Sequence, residues 1–172
     1  MAGRHKPEPL PMLAMLPLEA FVPPDAWIID DTDMGISEYA QLIVAAEQIG
    51  DAHAEFLRNP GSAKALSFTQ RSDILFLLVG AVVLAVCAKT RKLAGGVCDH
   101  IPIVFPAHRR LGIGRDFHLM ADENGLVLFQ PEYFSKAGYG ARLAAHRVAV
   151  LQAKKAGREV HPANLERYCD QL

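Results

Sequence analysis

Apolar residues recur along the chain in two rhythms. Ile36, Tyr39, Leu42, Ile43, Ala46 and Ile49 fall at steps of three and four, the stripe of an amphipathic helix. Ser37 is placed to cap its start, and Asn59-Pro60-Gly61 to end it. Residues 63–70 alternate weakly and predict a strand. Ile74 to Ala88 is an apolar run with Gly80 at its middle. Two short strands, or one long bent one, fit its Val, Leu and Ile content. A helix capped at Ser72-Asp73 is the rival, and periodicity does not separate them. Residues 90–96 (TRKLAGG) read as a turn, and 100–105 (HIPIVF) as a β-branched strand ended by Pro106.

Beyond Pro106, residues 107–125 form a glycine-bearing loop opening into a helix that stops at Asn124-Gly125. Residues 126–130 (LVLFQ) predict a strand. A long helix follows from about Ser135 to Ala156, capped by Ser135 and terminated by Gly157. Its buried stripe is Ala141, Ala144, Ala145, Val148 and Leu151. The tail is a loop with a short turn of helix. Residues 1–35 are proline-rich and irregular, with AWIIDD the one strand-like piece, and read as an extended arm on the surface. The expected organisation is that arm followed by one domain over 36–172. Its class is mixed α/β (α+β), a twisted, partly antiparallel sheet flanked by helices.

The bulk numbers narrow the picture. With 172 residues, 51% of them apolar, the chain suits one domain that buries a sizeable core. A formal charge of −1 gives no global attraction to nucleic acid or membrane, so electrostatic arguments are local. As a helix, Ile74–Ala88 spans ~22 Å, short of a ~30 Å hydrocarbon core. Prolines 7, 9, 11 and 17 interrupt the apolar N-terminus, which argues against a signal peptide. Cys87, Cys98 and Cys169 form no CxxC pair and leave an odd thiol, which points to a reduced cytoplasmic setting. Cys98, Asp99 and His100 are adjacent, so alternate side chains face opposite sides of a strand. His108, His118, His146 and His161 show no metal-ligand spacing either, so no metal is expected.

The chemistry is concentrated in residues 103–115, IVFPAHRRLGIGR. A strand ends at a proline, and two glycines two apart open a helix. Such a turn leaves backbone N–H groups free at a helix N-terminus, where the macrodipole favours an anion. A β-carbon there would hold a phosphate away from those amides. Arg109, Arg110 and Arg115 add charge beside the same point. These features read as a phosphate or pyrophosphate cradle.

The segment Val104-x-Pro106-x-x-Arg109-Arg110-x-Gly112-Ile113-Gly114 resembles motif A of the GNAT N-acetyltransferases, whose signature is R/Q-x-x-G-x-G/A after a strand. The resemblance covers about residues 98–118 and extends more loosely over 74–140. It implies a GNAT-like mixed sheet. It also implies acetyl-CoA as co-substrate, with Ile103, Val104 and Phe105 along the pantetheine arm. Arg109, Arg110, Leu111, Gly112, Ile113, Gly114 and Arg115 would hold its pyrophosphate. The implied activity is direct attack of an amine, small-molecule or protein, on the thioester. Asp99 and His100 stand where the family places its base, and a histidine's pKa near 6.5 suits that task. Phe134-Ser-Lys-Ala-Gly-Tyr139 resembles a Y-x-K-x-G-F/Y segment with Phe134 in the tyrosine place, leaving Tyr133 and then Tyr139 as candidate acids. The family's long hairpin before this strand has little room in residues 90–105.

From Ser135 to Arg158 there is no acidic residue, while Lys136, Arg142, Arg147, Lys154, Lys155 and Arg158 are basic. A solvated outer face accounts for this, with the last three cations complementing the helix C-terminus. Contact with an acidic partner, the CoA 3′-phosphate or a nucleic-acid backbone are the functional alternatives. A CoA-binding module without catalysis is another. Dimerisation through the apolar strands or the long helix is a further expectation.

Overall fold

The run that the sequence left between strand and helix is a hairpin, β3 (Ile74–Val79) and β4 (Val82–Cys87). Gly80 takes the first of its two central positions with φ 58°, and Ala81 keeps a negative φ, as a type II′ turn demands. In the computed structural model, residues 12–29, 34–126, 133–168 and 170 are described. The predicted strand at 126–130 lies outside them except for Leu126.

With β2 (Ala63–Leu66), β5 (Leu93–Cys98) and β6 (Ile101–Val104), the hairpin forms an antiparallel sheet in the order β2-β3-β4-β5-β6. Its central strands β3, β4 and β5 are apolar throughout because both faces are covered. Phe76, Val83 and Ala85 face Ile113, Phe117 and Met120 of α3 (Ile113–Glu123). Leu77, Leu84 and Val86 face Ala45, Ile49 and Phe56 of α2 (Ile36–Arg58). A separate parallel pair joins β1 (Trp27–Ile29) to β7 (Tyr133–Ser135).

Several expectations change. Residues 93–96 are strand, not turn, so the connection shrinks and β5 and β6 both fit before Pro106. Their glycines answer to close approach. A Cβ on Gly96 would meet Ile49 Cγ2 at 2.7 Å and Val83 O at 2.8 Å, so only a bare backbone lets α2 lie against the sheet. Gly35, not Ser37, is the N-cap of α2. Of its predicted stripe Ile49 is buried, whereas Ile36 is 92% exposed and Tyr39 60%.

The described part of the N-terminal arm, residues 12–29, carries a 3-10 turn at Leu13–Met15 and α1 at Leu18–Phe21. Leu13, Leu18, Phe21 and Val22 pack on Leu119 of α3 and on Ala145 and Ala149 of α4 (Lys136–Lys155). Ser135 caps α4 as expected, accepting from the Gly138 amide at 3.0 Å. The buried side of α4 differs from the predicted stripe: Ala145 is shared, but Arg142, His146, Ala149, Val150 and Ala153 make up the rest. The chain closes with α5 (Pro162–Arg167), whose Asn164 donates to the Leu16 carbonyl at 2.8 Å. Among the described residues, no helix is long and apolar enough to cross a membrane.

Candidate functional site: the corner between β6 and α3

Strand β6 lies at the sheet's edge, and its register decides which groups face outward. The Phe105 amide donates to Ala94 O at 3.0 Å, so Ile103 and Ile101 also point their backbone groups at β5. Pro102 and Val104 therefore turn theirs to the open side. Proline is tolerated at 102 because its missing N–H falls on that edge. The Val104 amide and the Pro102 carbonyl are the groups an extended ligand arm would pair with. Ile103 and Phe105 instead pack towards α2.

A 3-10 turn at Pro106–His108 leads from β6 into the glycine loop. Arg109 is extended (φ −63°), Arg110 has φ 64°, Leu111 returns to negative φ and Gly112 has φ 80°. Alternation of this kind brings successive N–H groups to one concavity. Gly112 is also the N-cap of α3, and its side-chain-free cap leaves the first turn uncapped. The first intrahelical bond runs from the Asp116 amide to Gly112 O at 3.0 Å. Among the described residues, no acceptor meets the amides of Ile113, Gly114 and Arg115.

The three arginines divide. Arg109 and Arg110 are exposed, the former reaching Val104 O through Nε at 3.5 Å. Arg115 folds back instead, giving two bonds to Asp116 Oδ1 at 2.9 and 2.7 Å. Its guanidinium lies 3.2 Å from where a Cβ on Gly112 would stand. Gly114 turns a Cα hydrogen towards neighbouring helix and strand rather than into the loop. A Cβ there would stand in ordinary contact with Ala141 at 3.4 Å and Val104 at 3.9 Å, on the side of α3 turned to α4 and β6. Ile113 is buried in the sheet core, and Leu111 is 54% exposed.

Sequence reasoning missed Asp116 and Arg71. Asp116 is fully buried in the first turn of α3 and is held by Arg115 and by Arg71 Nη1 at 3.0 Å. Arg71 also donates to Leu111 O at 2.8 Å and forks onto Asp73. The available signal was an acid in the first turn of a helix beside three arginines. Four guanidiniums, those of Arg71, Arg109, Arg110 and Arg115, here meet two carboxylates, those of Asp73 and Asp116, so the corner is net positive.

Asp99 and His100 form the two-residue turn between β5 and β6, with φ 46° and 67°. Both central residues of a type I′ turn need positive φ, and Asp and His are among the side chains enriched there. They are exposed, at the opposite end of β6 from the glycine loop, about 13 Å from Val104. Tyr139 is half-buried in the first turn of α4, edge-on to Phe134 at 5.9 Å. It stands two residues before Ala141, the residue facing Gly114. The backbone of Tyr133 pairs with Trp27, and its side chain lies outside the described residues. Arg142 is drawn from the basic face into the core, with Nε donating to Phe21 O at 3.1 Å. Lys136, Arg147, Lys154, Lys155 and Arg158 stay exposed.

Two cavities occur elsewhere. One of about 480 Å³ runs along the start of β3 past Arg71, and one of about 440 Å³ lies between Leu18, α4 and Tyr168. Cys87 and Cys98 are free thiols, and no group of three metal-ligating side chains occurs among the described residues. No family model, no curated protein and no solved structure matches the chain.

Proposed function

We propose that the chain is an N-acetyltransferase of GNAT type that moves an acetyl group from acetyl-CoA to a primary amine. The observation that carries this reading is the run of amides Ile113 to Arg115 that meet no acceptor among the described residues, entered through a loop of alternating φ and flanked by exposed Arg109 and Arg110. A diphosphate supplies the charge and oxygen acceptors that such a corner lacks.

From there the pantetheine arm would run back along β6, pairing with the outward Val104 amide and Pro102 carbonyl. That course leads towards Asp99 and His100. In the transfer the amine nitrogen bonds to the thioester carbon and the C–S bond breaks. One proton leaves the nitrogen and one reaches the sulfur. His100 is the candidate acceptor of the first, and Tyr139 the candidate donor of the second. A cytoplasmic location and a small-molecule or protein amine as acceptor belong to the same reading.

A second reading, a CoA-binding module without catalysis, is favoured by one observation. The turn geometry already accounts for Asp99 and His100 without any catalytic duty. Calorimetric titration with acetyl-CoA, followed by thiol release across an amine panel, separates the two. Binding with amine-dependent thiol release supports the enzyme, and binding without it supports the module. Absence of binding at millimolar acetyl-CoA removes both.

A further inference from the structure

We propose that Arg71 is a positioning residue for the anion corner, aiming the Gly112 amide into it by holding the Leu111 carbonyl from behind. The inference rests on the reading of this corner as a diphosphate site.

The Leu111 carbonyl and the Gly112 N–H belong to one planar trans peptide and point in opposite directions. Arg71 Nη1 donates to that carbonyl at 2.8 Å, so the carbonyl is held on the side of the loop that faces Arg71. The Gly112 N–H is consequently turned the other way. The next peptide is fixed likewise: Gly112 O accepts from the Asp116 amide, so the Ile113 N–H points out of the helix end. Two consecutive amides are thus oriented by contacts made to the carbonyls behind them.

Arg71 is itself held at both ends of its fork. Nε and Nη2 engage the two oxygens of Asp73, at the entry to β3. Nη1 bridges Leu111 O and the fully buried Asp116 carboxylate. Asp116 also takes Arg115, which keeps that guanidinium on the loop side of the helix. The sheet margin, the loop and the first turn of α3 are therefore joined through one planar group. A lysine at position 71 keeps the charge but offers a point donor that cannot span Asp73, Asp116 and Leu111 together.

The test uses the whole chain with Arg71→Lys and, as a second variant, Arg71→Ala, and inorganic pyrophosphate as probe. Nitrogen-15 relaxation of the ligand-free protein reads the loop directly. The Gly112 amide is expected near the rigid value of about 0.85 in the parent and below about 0.6 in both variants. Phe117 and Leu119, deeper in α3, keep their parent values, which distinguishes loss of aim from general loosening. Pyrophosphate binding weakens about tenfold in Arg71→Lys although the charge is retained. The proposal is overturned if Gly112 stays rigid in Arg71→Lys, or if Gly112 loosens while pyrophosphate affinity is unchanged. A parent protein that binds no pyrophosphate overturns the anion reading itself, and the positioning role with it.

Discussion

The ring of Phe21 stands edge-on to the imidazole of His118, with centroids 5.6 Å apart and planes at 87°. Two further cationic or titratable groups share that ring. The Arg142 guanidinium carbon lies 4.2 Å from its centroid, and His146 stacks at 6.2 Å. The N-terminal segment is thus keyed into α3 and α4 through one aromatic side chain ringed by three basic groups. His146 adds bonds to Leu16 O and the Tyr168 hydroxyl. His118 Nδ1 has no hydrogen-bond partner among the described residues.

This packing makes stability acid-sensitive. Burial first, and then the charge of Arg142, push the His118 pKa down to about 3 from its ordinary 6.5. Burial lowers that of His146 as well. Below pH 6.5 the unfolded chain takes up a proton that the native state refuses, so stability is complete above that pH and falls as the solution is acidified. His118 alone accounts for about 2 kcal/mol lost between pH 6.5 and 4.5. Urea unfolding at a series of pH values measures this. His118→Leu, which removes the titrating ring from a buried site, is expected to flatten that limb by a comparable amount. An unchanged slope in the variant refutes the assignment.

Two glycines that look alike in sequence are expected to behave oppositely. Gly96→Ala forces a methyl to within 2.8 Å of the Val83 carbonyl oxygen and against Ile49, and costs about 2 kcal/mol by overpacking. Gly114→Ala meets Ala141 and Val104 at ordinary contact distance and gains helix propensity, so stability stays level or rises by about 0.5 kcal/mol. Because that methyl points to the packed side, pyrophosphate binding is also expected to survive. Denaturant midpoints and one titration check both statements.

These contrasts explain which parts of the molecule the sequence disclosed. Helix ends were legible where chemistry is local: Ser135 caps α4, Gly157 ends it with φ 68°, and Asn124-Gly125 closes α3. The glycine loop was legible for the same reason. Gly95 and Gly96 were misread as a turn because the reason for glycine there is a neighbour from α2 or β6, distant in sequence. The stripe on α2 misled because its first turns, Ile36 and Tyr39, extend beyond what the sheet covers. Arg142 was counted as surface charge, since nothing local shows that Phe21 and Phe134 will lie against its guanidinium. At the site, Arg109 and Arg110 were found from their nearness to the glycines, whereas Arg71 comes from 38 residues before Arg109 and had no local signal.

Arg110 offers a separation of charge from conformation. Its φ of 64° is costly for a side chain with a β-carbon, by about 1–2 kcal/mol. Arg110→Gly relieves that strain while enlarging the freedom of the unfolded chain, for a net gain of about 0.5 kcal/mol. Gly112→Ala, at φ 80°, runs the other way and loses about 1 kcal/mol. If the corner binds a diphosphate, Arg110→Gly is more stable yet binds acetyl-CoA more weakly, with a shallower dependence on salt. Equal affinity in the two proteins would remove Arg110 from the site.

The edge of β6 supplies the sharpest distinction between holding a diphosphate and holding the whole cofactor. Val104 has its amide on the open side, as Pro102 has its missing one, so a proline at 104 leaves the β5–β6 ladder intact. The amide of Phe105, which does serve the ladder, is untouched. Val104→Pro is therefore expected to fold, with a modest loss from thinner packing against α3. Pyrophosphate, which calls only on the loop and the helix end, is expected to bind as before. On the proposed reading the amide-bearing arm of acetyl-CoA would pair with the strand, so that ligand is expected to bind about tenfold more weakly. Parallel loss of both ligands would mean that the substitution disturbs the corner as a whole. Equal retention of both would mean that no ligand arm lies along β6, and the acetyltransferase reading would lose the strand on which its thioester depends.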